Sequence, residues 1–423
     1  MIKKQKNHLE SIDYWYDLMI RRDLNKKSFN KYKNLMFSAL HKERPNLLSL
    51  VLERSCIYQC RHCLFQSESS SEKISQQNNL ERIVLNIVKQ IPSINDAPHY
   101  DNPYLIHEGR ILKPWHVGLM KKIKNIRPDI KIGLIDNGSC LDHLDEFKKN
   151  DFLLDWLDVS IDGVRETHNK QRNNPNAFDL AIGALEQSRE FIVSRNQGGR
   201  VTSLLTTTNL NYKDIFNVAD MLFSKNLIDE FYITTVSPVR EEIANLEVSA
   251  DYKEGNVNEF KEMWNQIKMT CKKYNSANKQ RVFIRFYQHQ DIEKLAMVVG
   301  NKRLYQSLTD TDKIRVNTGN ISFVIDGVKI LYLPLSIGTS ETFIIDADGK
   351  YRLAYCLKYT LEELNSGKSK NNLDTKKYTV MQLTEKTSQA RAYERGVKKW
   401  IKNFGNESFN EEYNVFRKIR MVK

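Results

Sequence analysis

Cysteine is scarce in this chain, with six in 423 residues. That scarcity excludes a disulfide-stapled secreted scaffold and points to a reducing compartment. The sequence also lacks any run of about eighteen uncharged apolar residues, the length a membrane-spanning helix needs. Its basic start, Met1-Ile2-Lys3-Lys4-Gln5-Lys6, has no apolar segment behind it of the kind a signal peptide carries. A soluble, cytoplasmic protein with no membrane partner is therefore expected.

What is present begins with charge. The formal net charge is +13, which raises the question of a nucleic-acid partner. Residues 1–50 carry eleven Lys/Arg against five Asp/Glu, and residues 361–423 carry fourteen against eight, so the two excesses of six leave only +1 for everything between. The basic residues thus lie on terminal segments with helical, amphipathic patterning, read as solvated faces. A nucleic acid is not the expected partner.

Forty per cent hydrophobic residues suffice for a large core. Short β-branched, apolar runs recur with helical patterns between them: Leu47 to Leu52, Tyr104 to Ile106, Ile130 to Ile135, Leu157 to Ile161, Val201 to Thr207 and Phe231 to Val236. Such alternation predicts βα units on a parallel sheet. Six units fall short of the eight a closed barrel needs, so the expected fold is α/β, a partial (β/α)6 barrel. The reading divides the chain into a basic helical N-terminal extension (1–45), the barrel core (46–240), a helical segment with hairpins (241–360), and a polar linker with a C-terminal helical segment (361–423). Within the third part, Arg281 to Phe286 is strand-like, while Ile321 to Ile330 and Thr342 to Cys356 are expected as hairpins of an α+β extension. The second hairpin turns at Asp346-Ala347-Asp348-Gly349-Lys350.

Half of the cysteines sit together. Cys56, Cys60 and Cys63 form a CxxxCxxC loop directly after the first strand-like run, at the carboxyl end where βα folds place functional loops. A disulfide would leave one thiol over. A structural zinc would need a fourth ligand, and His62, adjacent to Cys63, is poorly placed to supply it. Three thiolates can instead hold three corners of an iron–sulfur cubane and leave one iron open for a chelating small molecule.

This loop resembles that of the radical S-adenosylmethionine (radical SAM) enzymes, and further residues extend the resemblance. Tyr58 and the ring of His62 match the aromatic character of the family's loop, where the residue before the last cysteine packs on the adenine. Ile106-His107-Glu108-Gly109 stands where the family has Gly-Gly-Glu-Pro, which makes Glu108 the acid for the methionyl ammonium, although both glycines are missing. Asp136-Asn137-Gly138 is similar to the family's Thr-Asn-Gly turn. Ser160-Ile161-Asp162-Gly163, followed by His168 and Arg172, resembles the peptide-modifying branch with a SPASM or twitch extension. The resemblance covers roughly residues 46 to 240. It implies one 4Fe-4S cluster on Cys56, Cys60 and Cys63, and S-adenosylmethionine bound by Tyr58, His62, Glu108, Asn137, Ser160, Asp162 and Arg172. Arg172 would pair the cofactor's carboxylate.

It further implies a precursor peptide as substrate and an electron donor such as flavodoxin or ferredoxin. The hairpin at Thr342 to Cys356 looks like the opening of a SPASM domain, but no cysteine follows Cys356. One cluster only is inferred. Peptide epimerisation is then the most economical reaction, with Cys356 returning a hydrogen atom as its catalytic residue and Cys140 and Cys271 as less favoured donors. Radical modification of a sugar or nucleoside is the alternative. A non-catalytic peptide- or nucleic-acid-binding scaffold is a third reading, and the intact cysteine loop stands against it.

Overall fold

A computed structural model of the chain describes residues 47–53, 55–63, 74–90, 104–108, 112–191, 193, 198–236, 241–286, 289–300, 321–332, 342–347, 350–353 and 373–374. The expected basic helices of 1–45, residue Cys356 and nearly all of 361–423 lie outside them.

The βα alternation is as read from the sequence. Strand β1 (Leu47–Val51) leads through helix α1 (Ile74–Gln90) to β2 (Tyr104–Glu108), then α2 (Pro114–Ile126), β3 (Lys131–Asp136), a short 3-10 turn (Ser139–His143), α3 (Leu144–Lys149) and β4 (Trp156–Ser160). Helices α4 (Arg165–Arg172) and α5 (Ala177–Phe191) precede β5 (Arg200–Thr207), α6 (Ile215–Ser224) and β6 (Glu230–Thr235). The chain continues through α7 (Glu241–Ala244) and α8 (Asn258–Tyr274) to β7 (Val282–Phe286), then α9 (His289–Val298).

The later segments join the same sheet. The hairpin β8 (Ile321–Ile325) and β9 (Val328–Tyr332) adds beside β7, with β9 parallel to it. The hairpin β10 (Thr342–Asp346) and β11 (Lys350–Leu353) adds at the opposite edge, with β10 parallel to β1. A short β12 (Leu373–Asp374) falls inside the stretch expected as linker. One sheet results, ordered β12-β11-β10-β1-β2-β3-β4-β5-β6-β7-β9-β8. Every neighbouring pair from β10 to β9 is parallel. Its two ends do not pair with each other among the described residues, so the sheet stays open.

Strand alternation sorts side chains onto two faces. One face carries Leu48, Leu50, Leu134, Leu157, Val159, Val201, Phe231, Ile233, Val282 and Ile284, all buried. Against it lie helices with apolar residues at helical spacing, such as Ile83, Val84, Ile87 and Val88 on α1 and Phe260, Met263, Trp264 and Ile267 on α8. On the other face the residues of β4, β6 and β7 alternate to partial exposure.

Two glycines are dictated by this packing. Gly133 pairs in register with Trp156, and a Cβ there would meet the Trp156 ring. Gly138 turns at φ 105°, where an added Cβ would meet the backbone of Leu180 and Ala181.

Candidate functional site

The cysteine loop leaves β1 at its carboxyl end and is fixed on entry. The carboxylate of Glu53 pairs with Lys113 and accepts the Ser55 amide at 2.9 Å. Within the loop the Cys63 amide donates to the Cys60 carbonyl at 3.2 Å, and the Arg61 amide donates to the Gln171 carbonyl at 3.0 Å. The loop is thereby tied to the last turn of α4. All three cysteines stand outside any disulfide and are partly exposed.

Donors converge on two of the sulfurs. Cys56 Sγ accepts from the Tyr58 amide at 3.4 Å and from Asn137 Nδ2 at 3.5 Å. Asn137 is held by the turn after β3, where the buried Asp136 carboxylate accepts from the Gly138 and Cys140 amides at 2.6 and 3.0 Å and from the Ser139 hydroxyl at 2.9 Å. Ser139 Oγ in turn accepts the Leu112 amide at 3.3 Å, which links this turn to the segment after β2. Cys60 Sγ accepts from Arg172 Nη1 at 3.7 Å.

Arg172 itself is anchored by Asp162. Its Nη2 lies 2.6 Å from Asp162 Oδ2, and both side chains are buried. Asp162 Oδ1 accepts the Thr206 amide at 2.9 Å, its amide donates to His168 Nδ1 at 2.8 Å, and its carbonyl accepts Asn211 Nδ2 at 2.6 Å. Burial alone would raise the Asp162 carboxyl, but Arg172, then His62 and His168, bring it below the usual carboxylate range. Burial holds His62 down at about 4 and His168 at about 3, so both rings are neutral near pH 7. His62 Nε2 lies 3.6 Å from Asp162 Oδ2.

The donor set suits an iron–sulfur cluster. Hydrogen bonds to sulfur favour the thiolate that a metal requires. Burial keeps the Cys60 thiol up at about 11, with Arg172 opposing, so a metal must displace the Cys60 proton on binding. The Tyr58 hydroxyl is buried without a hydrogen-bond partner among the described residues, within electrostatic reach of Cys56, Cys60 and Arg172.

Below this loop the inner face of β4 to β7 carries a polar wall. Register aligns Asp158, Thr202 and Glu230 in one row, and Ser160, Leu204, Tyr232 and Phe283 in the next. The Thr202 hydroxyl donates to the Asp158 carboxyl. Tyr232 donates its phenolic hydrogen to Glu230 Oε2 at 2.9 Å, and its ring stacks on Phe283 at 4.8 Å. The Arg285 guanidinium lies 4.0 Å over the same ring. Burial pushes the Asp158 carboxyl up to about 7, opposed by Arg285 and aided by Glu230.

Comparison with known proteins finds distant relatives. No family model matches the chain. Fe-coproporphyrin III synthase of Methanosarcina barkeri is 25% identical over 186 residues, which are 43% of this chain and 42% of that protein, so the match spans less than half of its length. Solved structures similar in fold include Streptococcus suis SuiB bound to precursor peptide SuiA, with TM-score 0.49, 11% identity, and coverage of 82% of this chain and 67% of that one. Another is anSMEcpe with bound AdoMet and Cp18Cys peptide, with TM-score 0.41, 15% identity, and coverage of 88% and 99%. A third, coproporphyrinogen III oxidase of Escherichia coli, is described as a radical SAM enzyme and has TM-score 0.34, 13% identity, and coverage of 86% and 77%.

Of the residues expected from the sequence, the structure brings Cys56, Cys60, Cys63, Tyr58, His62, Asn137, Asp162 and Arg172 into one contact network. Ser160 ends β4, half-exposed on the inner face, and Glu108 ends β2 in register with Ile135. Tyr58 is buried, with 2% of its surface exposed. Asp162 is wholly enclosed and serves Arg172. Arg172 is turned toward Asp162 and Cys60. Cys140 and Cys271 are buried in the apolar core. Sequence reasoning missed the wall of Asp158, Glu230, Tyr232 and Arg285. Its one signal was an acid at Asp158 between the apolar residues of β4.

Proposed function

We propose that this chain is a radical SAM enzyme holding one 4Fe-4S cluster on Cys56, Cys60 and Cys63. The observation that carries this reading is the three-cysteine loop at the carboxyl end of β1, with Asn137 and Arg172 donating to two of its sulfurs. The chemistry supplied there, when the group is bound, is one-electron cleavage of S-adenosylmethionine to methionine and a 5′-deoxyadenosyl radical that takes hydrogen from a substrate. The chain's own residues chelate and orient. Ser160, at the mouth of the inner face, and Glu108, ending the second strand, are the proposed cofactor contacts beside Tyr58, His62 and Asn137. The wall running down from Ser160 through Asp158 and Tyr232 faces the substrate.

The proposed substrate is a ribosomally made peptide, and the proposed outcome is epimerisation. With Cys140 and Cys271 shut in the core, Cys356 remains as hydrogen donor. Once the α-hydrogen has been removed, Cys356 would return a hydrogen atom from its S–H to the opposite face, and the resulting thiyl would regain S–H by taking one electron from a donor of the flavodoxin or ferredoxin class and one proton from solvent. A second reading, radical modification of a small molecule, is favoured by the name of the curated relative. A precursor-peptide gene beside this one would favour the first.

The test is anaerobic. Iron-loaded protein reduced with dithionite and given S-adenosylmethionine should release 5′-deoxyadenosine. Its absence from protein that holds its iron would overturn the reading. In deuterium oxide, an epimerised product should carry one solvent deuterium at the inverted carbon.

A further inference from the structure

We infer that the outer edge of the cysteine loop is the docking surface for an acidic one-electron carrier protein of the flavodoxin class, with Ile57 as its apolar contact and Arg61 and Lys170 as its charged ones. The inference rests on the cluster reading above and extends it to a partner. Exposure alternates along the loop, where Ile57, Gln59 and Arg61 are exposed and Tyr58 between them is buried. One edge therefore turns into the fold and the other to solvent. An exposed isoleucine alone needs no explanation, but Ile57, 45% exposed, adjoins the proposed ligand Cys56. The Arg61 amide donates to the Gln171 carbonyl at 3.0 Å, which brings the exposed Lys170, in the last turn of α4, beside the loop.

The nearby acids leave these two cations to the partner. Glu53 is buried against Lys113, Asp162 is buried against Arg172, and Asp179 is paired with Arg165. Glu166, one turn before Lys170, is the one acid on α4 itself. Electron transfer through protein falls off steeply with distance, so a carrier must approach where the cluster lies closest to solvent. The barrel side of the loop faces Asn137 and the other proposed cofactor contacts, and its outer edge is the side that remains. There an apolar contact with a basic margin suits an acidic partner, steered by charge into a small, transient redox interface. The step moves one electron and no proton: the carrier's anionic flavin hydroquinone is oxidised to the neutral semiquinone, and the oxidised cluster is reduced by one electron.

The experiment uses reconstituted full-length protein and a purified bacterial flavodoxin. Calorimetric titration measures binding of the oxidised flavodoxin, and 5′-deoxyadenosine release is followed with either reduced flavodoxin or dithionite as reductant, on the wild type, Arg61→Glu and Lys170→Glu. Wild-type binding should weaken as salt is added. Each variant should weaken it by about fivefold or more and slow the flavodoxin-driven reaction, while the dithionite-driven rate stays within about twofold of the wild type, because dithionite needs no docking surface. Wild type that binds no flavodoxin, unchanged binding in both variants, or an equal loss with both reductants would overturn the inference. Self-association of the wild type that the same variants abolish, with no flavodoxin bound, would give the surface to a second copy and overturn it too. Should Arg61→Glu not hold iron, Lys170→Glu, which lies off the loop, decides. Wild-type protein that holds its iron yet releases no 5′-deoxyadenosine with dithionite fails the reading of the site itself, a result separate from the binding titration.

Discussion

The cysteine loop and the polar wall beneath it are built in opposite ways. The loop's chemistry is local, three thiols in one short segment, but its geometry is supplied from far along the chain by Asn137, Gln171 and Arg172. The wall has little local chemistry, one hydrogen bond from Tyr232 to Glu230 within β6. Asp158, Glu230, Tyr232 and Arg285 stand on three strands and meet only because parallel register sets their rows. A site whose ligands are local can be recognised before it is folded, while one made by register exists only afterwards.

The largest expected effect strikes the support of the loop. Asp162→Ala leaves Arg172 buried with no carboxylate, and breaking a buried pair in this way costs about 3–5 kcal/mol. Urea denaturation at pH 7 should show it. A loss below about 1 kcal/mol would mean that the loop does not depend on its distant support.

The wall is tested by pH. The Asp158 carboxyl rises from 3.8 to about 7 on folding, so between those values the unfolded chain gives up its proton first and stability falls as pH rises, levelling above 7. Asp158→Asn should remove that fall and stabilise the protein at pH 8 by about 2–4 kcal/mol, relative to its effect at pH 4. Parallel stability curves for the two proteins would show that Asp158 is ordinary and the wall well solvated.

A smaller effect probes the packing that carries both regions. Gly133→Ala puts a methyl group into the Trp156 ring and should cost about 1–3 kcal/mol as an overpacked core substitution, visible as a lowered Tm. The smallest is at the wall's rim, where Arg200 is 62% exposed beside Glu230. Arg200→Ala should change stability by less than about 1 kcal/mol.

Much of this was legible in advance. The six core strands lie where β-branched runs end in turns, and the CxxxCxxC spacing located the loop with no need of tertiary contacts. The strand Val282–Phe286 was visible, but its parallel place beside β6 was not, because pairing partners are chosen by the path of the chain in space. Arg172 was recognised as apt for a carboxylate, and one was present nearby in the sequence: Asp162, at the other end of the short helix α4. That Asp162 itself takes the guanidinium depends on its complete burial, a tertiary fact. The wall was silent for the same reason, since nothing in Trp156 to Ser160 names its neighbours on β6 and β7.

The reading of the cysteine loop as a cluster site is tested most directly by iron and sulfide analysis after anaerobic reconstitution. The wild type, Cys140→Ala and Cys271→Ala should each hold about four irons and four sulfides per chain, and Cys56→Ala, Cys60→Ala and Cys63→Ala should each hold almost none. Stoichiometric zinc without iron in the wild type, or full iron in any of the three loop variants, would contradict it.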